Sequence, residues 1–424
     1  MELATAVPVF VGWDHEQSTD VGVFHKIGSW PDYEAYRGSL PTSAKFDDAI
    51  LCTSIRLYFE NGGGKCFILL VSPPPVESEL VTSMVESTEP LLDPVVRWMT
   101  AFKEWIEGSL TARKFAPALT ELSLTLVAMP QLVGALPKLL EEANSAKLLV
   151  SAWRAVQVAC QCRPDLFFVW DAPQAMKVAD ACIKELRINN AFGEMGQHAA
   201  VYGPHLLTSY TINESDTGPF RRTVPPCGAV LGLMARTDHV HGTWKAPANE
   251  ALMCIVAAEH RETEAHGWFD VAKPSINLIR SFPGRGVRVW GCRTLTRDGR
   301  SPFRYVQVRR TVTWIEANLR QICRFAVFEP NSAITWLQLR GVCSAWLRRV
   351  WLSGGLAGAE EGEAFVVQVG LNDSMLADDI AEGRLIVKVG LAVLHAAEFV
   401  ELNLVLMLNE TQAGMMQLQR SEML

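Results

Sequence analysis

The sequence predicts an α/β fold (mixed α+β), with strand–helix–strand units in the first half and a strand-rich C-terminal part. In the first half, short apolar runs that suit buried strands alternate with longer segments of helical spacing. This alternation predicts a mostly parallel sheet covered by helices on both faces. Near the C-terminus, residues 398–408 alternate apolar and polar side chains with a period of two, which predicts a strand with one apolar face.

The first strand–helix–strand unit opens the chain. Residues 6–12 and residues 65–72 are short apolar runs, so both predict buried strands. Between them, residues 47–61 have the apolar spacing of a helix, and residues 31–38 predict a shorter helix or turn. The triple glycine at residues 62–64 ends the helix, because glycine accepts the left-handed conformation that a helix stop needs. The unit is therefore of the parallel type.

The alternation resumes after a polar stretch at residues 73–89. Helices are predicted at residues 94–110, 145–160 and 174–186, and strands at residues 122–128, 166–170 and 198–203. Residues 211–226 are polar with Gly and Pro, which predicts a connection. In the C-terminal half, helices are predicted at residues 229–236, 310–325 and 336–351, and strands at residues 364–370, 384–390 and 398–408.

Composition describes an ordinary folded protein. The chain has 424 residues, 49% of them apolar and 20% charged, and its length suits two or three domains, or one domain with a large insertion. Its net charge of −7 argues against a general nucleic-acid surface. No apolar run reaches the roughly 18 residues that span a bilayer, and no signal peptide is evident, so we expect synthesis in the cytoplasm and no membrane insertion. The ten cysteines include no CxxC pair, which favours reduced, packed thiols.

Two glycine-rich stretches superficially resemble phosphate-binding loops. Residues 62–65 end in Gly-Lys, but Phe59 stands where the first P-loop glycine belongs, and Cys66 replaces the Ser or Thr that would hold magnesium. Residues 284–286 form a GxG, but Val289 replaces the third glycine and no clear strand precedes the motif. Neither stretch predicts nucleotide binding.

Other polar pairs also have structural explanations. His239 and His241 are two residues apart, so in a strand both would face one side, but polar surface histidines explain them better than a metal site. Asp378 and Asp379 precede a predicted helix, where carboxylates cap free backbone N–H groups. We therefore predict no catalytic, cofactor-binding or metal-binding residues, no cofactor and no enzyme. The alternative from another class is an α/β enzyme with a nucleotide or small-molecule site, since a fold does not fix a function.

Several strings in the C-terminal half resemble one protein family. Residues 238–249 read DHVHGTWKAPAN, and residues 281–295 read SFPGRGVRVWGCRTL. Residues 304–310 (RYVQVRR) and 328–331 (FEPN) join them, as does the helix–triple-glycine–strand segment at residues 54–71. Together they resemble contractile tail sheath proteins, with the closest resemblance to sheath subunits of extracellular phage-tail-like particles, that is, of contractile injection systems. The resemblance covers roughly two-thirds of the chain.

The resemblance implies a structural role. In that family, six subunits form a ring, rings stack helically around an inner tube, and the sheath contracts to drive the tube through a target membrane. By this resemblance, residues 1–75 are the N-terminal part of the sheath core, and residues 76–226 are a variable outer α/β region. Residues 227–409 are the conserved C-terminal core with its exchange strand, and residues 410–424 are a polar tail.

The resemblance also implies candidate interface residues. Terminal arms of the family add strands to neighbouring subunits, so Phe399, Val400, Leu402, Leu404 and Leu406 are expected to form an intersubunit strand. An ordinary internal strand has the same pattern and stays the alternative. Five arginines are candidates for intersubunit charge pairs, with pairing inside the subunit as the alternative; they are Arg280, Arg285, Arg293, Arg309 and Arg310.

One departure concerns the N-terminus. Family members carry an N-terminal arm before the first buried strand, whereas residues 1–5 here reach under about 20 Å at about 3.3 Å per residue. A second departure is His395-Ala396-Ala397, where the family has a Pro before Ala-Glu-Phe. We expect a specialised paralogue in a boundary layer near the baseplate or cap, with other sheath paralogues, the inner tube and baseplate or cap proteins as partners. It would assemble in a bacterial cytoplasm and leave in a released particle. The alternatives are the main repeating subunit and an incomplete gene start.

Overall fold

The computed structural model describes residues 2–13, 24–39, 49–75, 94–138, 140–188, 191–214, 218–260, 265, 267–270, 273–394 and 399–407. The chain forms two compact units. The larger unit comprises Ala4–His241 and Lys245–Val306. The smaller unit comprises Met1–Leu3, Gly242–Trp244 and Gln307–Leu424. The domain boundaries expected from the sequence follow sequence pattern and family resemblance, and they stay a prediction.

A large mixed sheet forms the centre of the larger unit. In the described residues its strand order is β2-β3-β1-β4-β5-β6-β11-β12-β9. The inner run from β3 to β11 is parallel, while β2 joins one edge and β12 and β9 the other edge in antiparallel fashion. The strands are β1 (Pro8–Gly12), β2 (Phe24–Ile27), β3 (Cys66–Leu70), β4 (Leu126–Ala128), β5 (Phe167–Asp171), β6 (Ala199–Gly203), β9 (Glu250–Ala251), β11 (Ile276–Phe282) and β12 (Gly286–Val289).

Helices cover both faces of this sheet, as predicted. The helices are α1 (Trp30–Ser39), α2 (Ala49–Glu60), α3 (Pro94–Ser109), α4 (Ala112–Leu119), α5 (Glu142–Ala159), α6 (Met176–Ile188) and α7 (Cys227–His241). Side chains that alternate along each strand enter two separate cores. Val9 and Val11 join the core that α3 to α6 line, whereas Phe10 joins the core that α2 and α7 line. This double coverage explains why the strands read as continuous apolar runs.

The contact between α2 and α7 is a close backbone approach. A Cβ atom added to Gly228 would lie 2.1 Å from the Ser54 carbonyl oxygen, and one added to Gly232 would lie 2.3 Å from that of Tyr58. Each pair of residues is four apart, so the contacts repeat on successive turns of both helices. At the end of α2, Gly62 has a φ of +99°, which confirms the predicted glycine stop.

Two hairpins correct the sequence analysis. Residues 211–226, expected to be a connection, contribute to β7 (Leu206–Glu214) and β8 (Gly218–Val224), which form a three-stranded sheet with β10 (Ile255–Ala258). A second hairpin joins β11 to β12 through Gly284 and Gly286, both with positive φ. Antiparallel hairpins close their ladders locally and tolerate a polar face, so neither one needs a long apolar run.

The smaller unit contains two long helices and a three-stranded antiparallel sheet. Helices α8 (Val306–Cys323) and α9 (Ala333–Leu352) confirm the two long helices predicted here. After α9, Gly354 has a φ of +81°, as expected for a helix stop. Two short helices and three strands follow: α10 (Glu361–Ala364), α11 (Ala377–Ala381), β13 (Phe365–Gln368), β14 (Arg384–Ala392) and β15 (Phe399–Met407).

Candidate subunit interface

The C-terminal sheet places β14 between β13 and β15. Along β14, four alternate residues are fully buried; they are Leu385, Val387, Val389 and Leu391. The residues between them are half-buried, which gives the strand one core face. Since β14 is central, both of its edges need a paired strand to satisfy the backbone N–H and C=O groups.

The five residues predicted to form an intersubunit strand all lie in β15. The antiparallel register places Val400 opposite Leu391, Leu402 opposite Val389, Leu404 opposite Val387 and Leu406 opposite Leu385, and it ends with Phe399 opposite Ala392. The apolar positions of β15 are therefore in register with the four buried positions of β14. In this single chain β15 completes the edge of its own sheet.

The turn between β13 and β14 is held by polar contacts. The backbone N–H of Leu376 donates to Asp379 Oδ2 at 2.8 Å, and Arg384 Nη2 donates to Asp379 Oδ1 at 2.7 Å. The N–H donor and then the guanidinium lower the pKa of the Asp379 carboxyl. Ser374 Oγ also donates to the Ile386 carbonyl at 2.6 Å. These contacts explain Asp379 as a helix cap, as predicted.

An arginine-rich surface with exposed aromatic rings covers the β11–β12 hairpin. Arg280 lies opposite Arg288 in the register, and its guanidinium is 5.8 Å from the ring centre of Trp290. Trp290, which is 42% exposed, packs against Phe282 with ring centres 4.8 Å apart. At the tip, the Arg285 guanidinium lies 5.9 Å from the ring centre of Phe282. The hairpin therefore presents cationic groups beside apolar rings.

The hydrogen bonds of this hairpin leave cationic charge at its tip. Arg285 Nη2 donates to Asn249 Oδ1 at 3.3 Å, and Arg288 Nη1 donates to the Asn249 carbonyl at 2.6 Å. These acceptors are neutral, so they orient the guanidinium groups without cancelling their charge.

The other candidate arginines have different surroundings. Arg293 lies over the ring of Tyr305, 4.4 Å from its centre. Arg309 and Arg310 are only 8% and 5% exposed. Arg309 Nε donates to Thr313 Oγ1 at 3.1 Å. Of the five candidates, Arg285 at the hairpin tip is the most accessible to a neighbouring subunit.

The rejected phosphate motifs are explained by their surroundings. Tyr58 packs over the triple glycine, with a ring carbon 2.5 Å from where a Cβ of Gly63 would lie, and its hydroxyl donates to the Lys65 carbonyl at 3.1 Å. Lys65 Nζ donates to Ser123 Oγ at 2.8 Å. Residues 284–286 do follow a strand, contrary to the sequence analysis, but they lead into a second strand and not a helix. Neither loop has the strand-to-helix geometry of a phosphate site.

The two histidines are not on a strand. His239 and His241 lie in the last turn of α7, where residues two apart point in different directions. In the part of the chain that the structure describes, no group of three or more His, Cys, Asp or Glu residues is arranged to hold a metal ion. Within those residues, no helix combines the length and apolarity that a bilayer crossing requires.

A buried carboxyl was missed by the sequence analysis. Asp171, at the end of β5, is 2% exposed, and its Oδ1 accepts the backbone N–H of Cys227 at 2.7 Å. Desolvation raises the pKa of Asp171 to about 7, partly offset by its hydrogen bonds at Cys227. Because Cys227 begins α7, Asp171 caps that helix from another part of the chain. The sequence signal was an Asp directly after a continuous apolar strand.

Comparisons with known proteins agree on one class. Residues 298–407 match the model of the phage tail sheath C-terminal domain. The tail sheath protein of Enterobacteria phage T4 is 29% identical over 173 residues, which are 40% of this chain and 25% of that protein. The chain thus spans about a quarter or less of the length of the curated relatives it matches.

Two solved structures are similar over nearly the whole chain. A chain of the contracted anti-feeding prophage baseplate has a TM-score of 0.74 and 28% identity, covering 94% of this chain and 93% of that one. A chain of the contracted sheath complex of PVC, an extracellular contractile injection system, has a TM-score of 0.64 and 28% identity, covering 94% and 91%. These similarities define a class of structural protein. Residues 298–407 match the sheath C-terminal domain, and nearly the whole chain is similar to contractile tail sheath proteins. The resemblance and the mixed α/β fold predicted from the sequence are both confirmed.

Proposed function

We propose that this chain is a subunit of a contractile sheath, which surrounds an inner tube and shortens to drive that tube through a target membrane. The observation that carries the proposal is the similarity to sheath chains over 94% of the chain, which includes both compact units. Six copies would form a ring, with the inner tube, baseplate or cap proteins and other sheath paralogues as partners. Assembly in a bacterial cytoplasm would precede release as part of an extracellular particle, like the system of the PVC relative.

The proposed link between subunits is an exchange of β15. In the single chain β15 covers an edge of β14, so a β15 donated to one neighbour must be replaced by the β15 of another. The exchanged ladder would keep the same nine residue pairs, from Ala392–Phe399 to Arg384–Met407. Only residues 393–398, between the strands, would need to change their path, which is the general route of strand swapping.

Engineered disulfides test this exchange. Lys388 lies in register with Asn403 of β15 on one side and with Gln368 of β13 on the other. Cross-strand partners are within disulfide reach. In assembled particles we expect Lys388→Cys with Asn403→Cys to join subunits into a covalent ladder on a non-reducing gel. Lys388→Cys with Gln368→Cys is the matched control and should cross-link within one chain, which leaves a monomer band.

The outcome separates the exchange from the broader proposal. If the Lys388–Asn403 pair oxidises fully and still gives monomers, β15 is an internal strand and the exchange is wrong. The sheath role would stand in that case, because the particles themselves would have formed. If the chain enters no particle at all, the sheath role fails.

For the charge candidates, we propose that the β11–β12 hairpin meets an acidic surface of a neighbouring subunit, with Arg285 as the leading contact. Its position at the hairpin tip and its neutral hydrogen-bond acceptor support this assignment. Arg285→Glu should shorten or abolish sheaths while the isolated chain keeps its stability, since surface charges contribute little to folding. Arg113→Glu, an exposed arginine on α4, is the matched control. Normal sheath length with Arg285→Glu would contradict the assignment.

We also propose that the chain occupies a boundary layer near the baseplate. One similar solved chain comes from a baseplate, although another comes from a sheath complex. Near the N-terminus, Leu3 is bonded within its own chain, its N–H donating to Asn318 Oδ1 and its carbonyl accepting from Trp314 Nε1, both at 3.0 Å. Quantitative mass spectrometry of particles should give a few per cent of the inner-tube copy number. Near-parity would make the chain the main repeating subunit.

A further inference from the structure

Two cysteines of the smaller unit touch through their sulfur atoms. Cys323 is the last residue of α8, and Cys343 lies in the middle of α9, 20 residues further along the chain. Their Sγ atoms are 3.5 Å apart, and both side chains are fully buried. The two sulfur atoms are in direct contact, whereas a buried thiol commonly packs only among apolar side chains.

We propose that Cys323 and Cys343 form an intrachain disulfide when the chain meets an oxidising medium that contains a small disulfide. The S–S bond is about 2.05 Å long, so the sulfur atoms need to approach by about 1.5 Å from their 3.5 Å separation. The inference concerns the isolated chain and does not depend on its role in a sheath. It would apply in particular to a protein that leaves the reducing cytoplasm.

The reaction is two successive thiol–disulfide exchanges with oxidised glutathione. The thiolate of Cys323 attacks one glutathione sulfur, which forms a mixed disulfide and releases one glutathione thiolate. The Cys343 sulfur, after losing its proton, then attacks the Cys323 sulfur and releases the second glutathione thiolate. The two protein thiols lose two electrons and two protons, and one glutathione disulfide becomes two reduced glutathione molecules.

The surroundings make this reaction slow in the folded chain. The hydrogen bond to Cys343, followed by burial, raises the pKa of the Cys323 thiol well above its usual range. The thiolate, which is the reactive form, therefore appears only when the site opens. Cys323 lies where α8 passes directly into a 3-10 helix (Arg324–Phe328), whose poorer hydrogen-bond geometry favours local opening there. Exposed Cys162 should react first.

The cross-link would restrict the motion of an exposed apolar segment between Cys323 and Cys343. It would close a loop that contains Phe328, which is 82% exposed, and the first turns of α9, where Ile334 and Leu337 are 72% and 71% exposed. These apolar side chains would then project from a loop anchored at both ends. A disulfide restricts the unfolded chain as well, so the oxidised protein should resist unfolding more strongly.

The test uses the full-length chain in a glutathione redox buffer. Free thiols are alkylated after denaturation, and the protein is digested without reduction and mapped by mass spectrometry. We expect a peptide that joins Cys323 to Cys343 to accumulate over hours. Cys182, which is equally buried but on α6, should stay a free thiol. The thermal midpoint of the oxidised chain should rise and return after reduction.

Variants identify the pair without relying on one outcome. Cys182→Ser is the matched control and should leave the cross-linked peptide unchanged, whereas Cys343→Ser should abolish it. Should Cys343→Ser fail to fold, the wild-type map still decides. Full glutathionylation of Cys162 shows that the oxidant has acted on the chain. If Cys323 and Cys343 are then both still alkylated as free thiols, even after mild warming in the same buffer, the pair is a packing contact and the proposal is wrong.

Discussion

The close approach of α2 and α7 makes a sharp prediction about Gly232. Replacing it with Ala puts a Cβ atom 2.3 Å from the Tyr58 carbonyl oxygen, whereas ordinary contacts begin at 3.4 Å. The two helices must therefore separate locally by the difference, 3.4 minus 2.3, or 1.1 Å. The opposing atom belongs to the backbone of α2, so no side-chain rotation relieves the clash.

The expected size follows from two opposing effects. Overpacking a core costs about 1–3 kcal/mol, and occasionally more. Ala in place of Gly inside a helix returns up to about 1 kcal/mol through backbone entropy. We expect Gly232→Ala to lower the free energy of unfolding by about 1–2 kcal/mol or more. Gly228→Ala, with its Cβ at 2.1 Å from Ser54, should be at least as harmful.

Urea unfolding of the isolated chain, followed by circular dichroism, measures the effect as a shift of the midpoint at constant slope. Gly108→Ala is the matched control, because Gly108 lies in α3 of the same unit with no atom within 4 Å of an added Cβ. This control should be neutral or slightly stabilised. An unchanged or higher midpoint for Gly232→Ala would refute the close packing of α2 on α7.

Three further predictions concern buried groups. The pKa of Asp171 is about 7 in the folded chain, above the usual 3.8, so between these pH values the native state holds a proton that the unfolded chain releases. The free energy of unfolding of the wild type, relative to that of Asp171→Asn, should therefore fall as pH rises from 4 to 7, by on the order of 4 kcal/mol at most. Unfolding of both proteins across that pH range measures this difference. Leu385→Ala on β14 should cost about 2–5 kcal/mol, whereas exposed Leu337→Ala should change the midpoint little; equal effects would contradict the sheet core. Gln131→Leu strips both hydrogen bonds from the buried backbone of Trp13 and should cost about 1–3 kcal/mol; a neutral result in thermal unfolding would contradict those bonds.

The sequence was sufficient wherever one element had one clear pattern. Strands β1 and β3 are buried on both faces and appeared as continuous apolar runs, and the glycines after α2 marked its end. The pairing partner of β15 was not predictable, because alternation identifies a strand but does not identify the strand it pairs with. The β11–β12 hairpin did carry a signal, since Gly284 and Gly286 stand between an apolar-rich run and a short alternating run.

The site residues were harder to predict because burial depends on the tertiary structure. Arg309 and Arg310 are adjacent charged residues, a pattern typical of exposed surface, but the first turns of α8 are buried on all sides. His239 and His241 were considered in a strand, yet α7 continues to His241, five residues beyond the predicted helix end at residue 236. Packing buries Arg309 and Arg310 against the local pattern, whereas His239 and His241 are exposed on the last turn of α7.

The register of β15 on β14 has a mechanical consequence. The two strands are antiparallel, with Phe399 beside Ala392 and Met407 beside Arg384. Tension along the strand axis loads all nine pairs in shear, so they must slip together and share the force. Tension across the sheet at either end opens one pair at a time, like a zipper, and needs far less force. A tether built from this strand would withstand sliding between its two anchors, yet it could still be peeled away from one end.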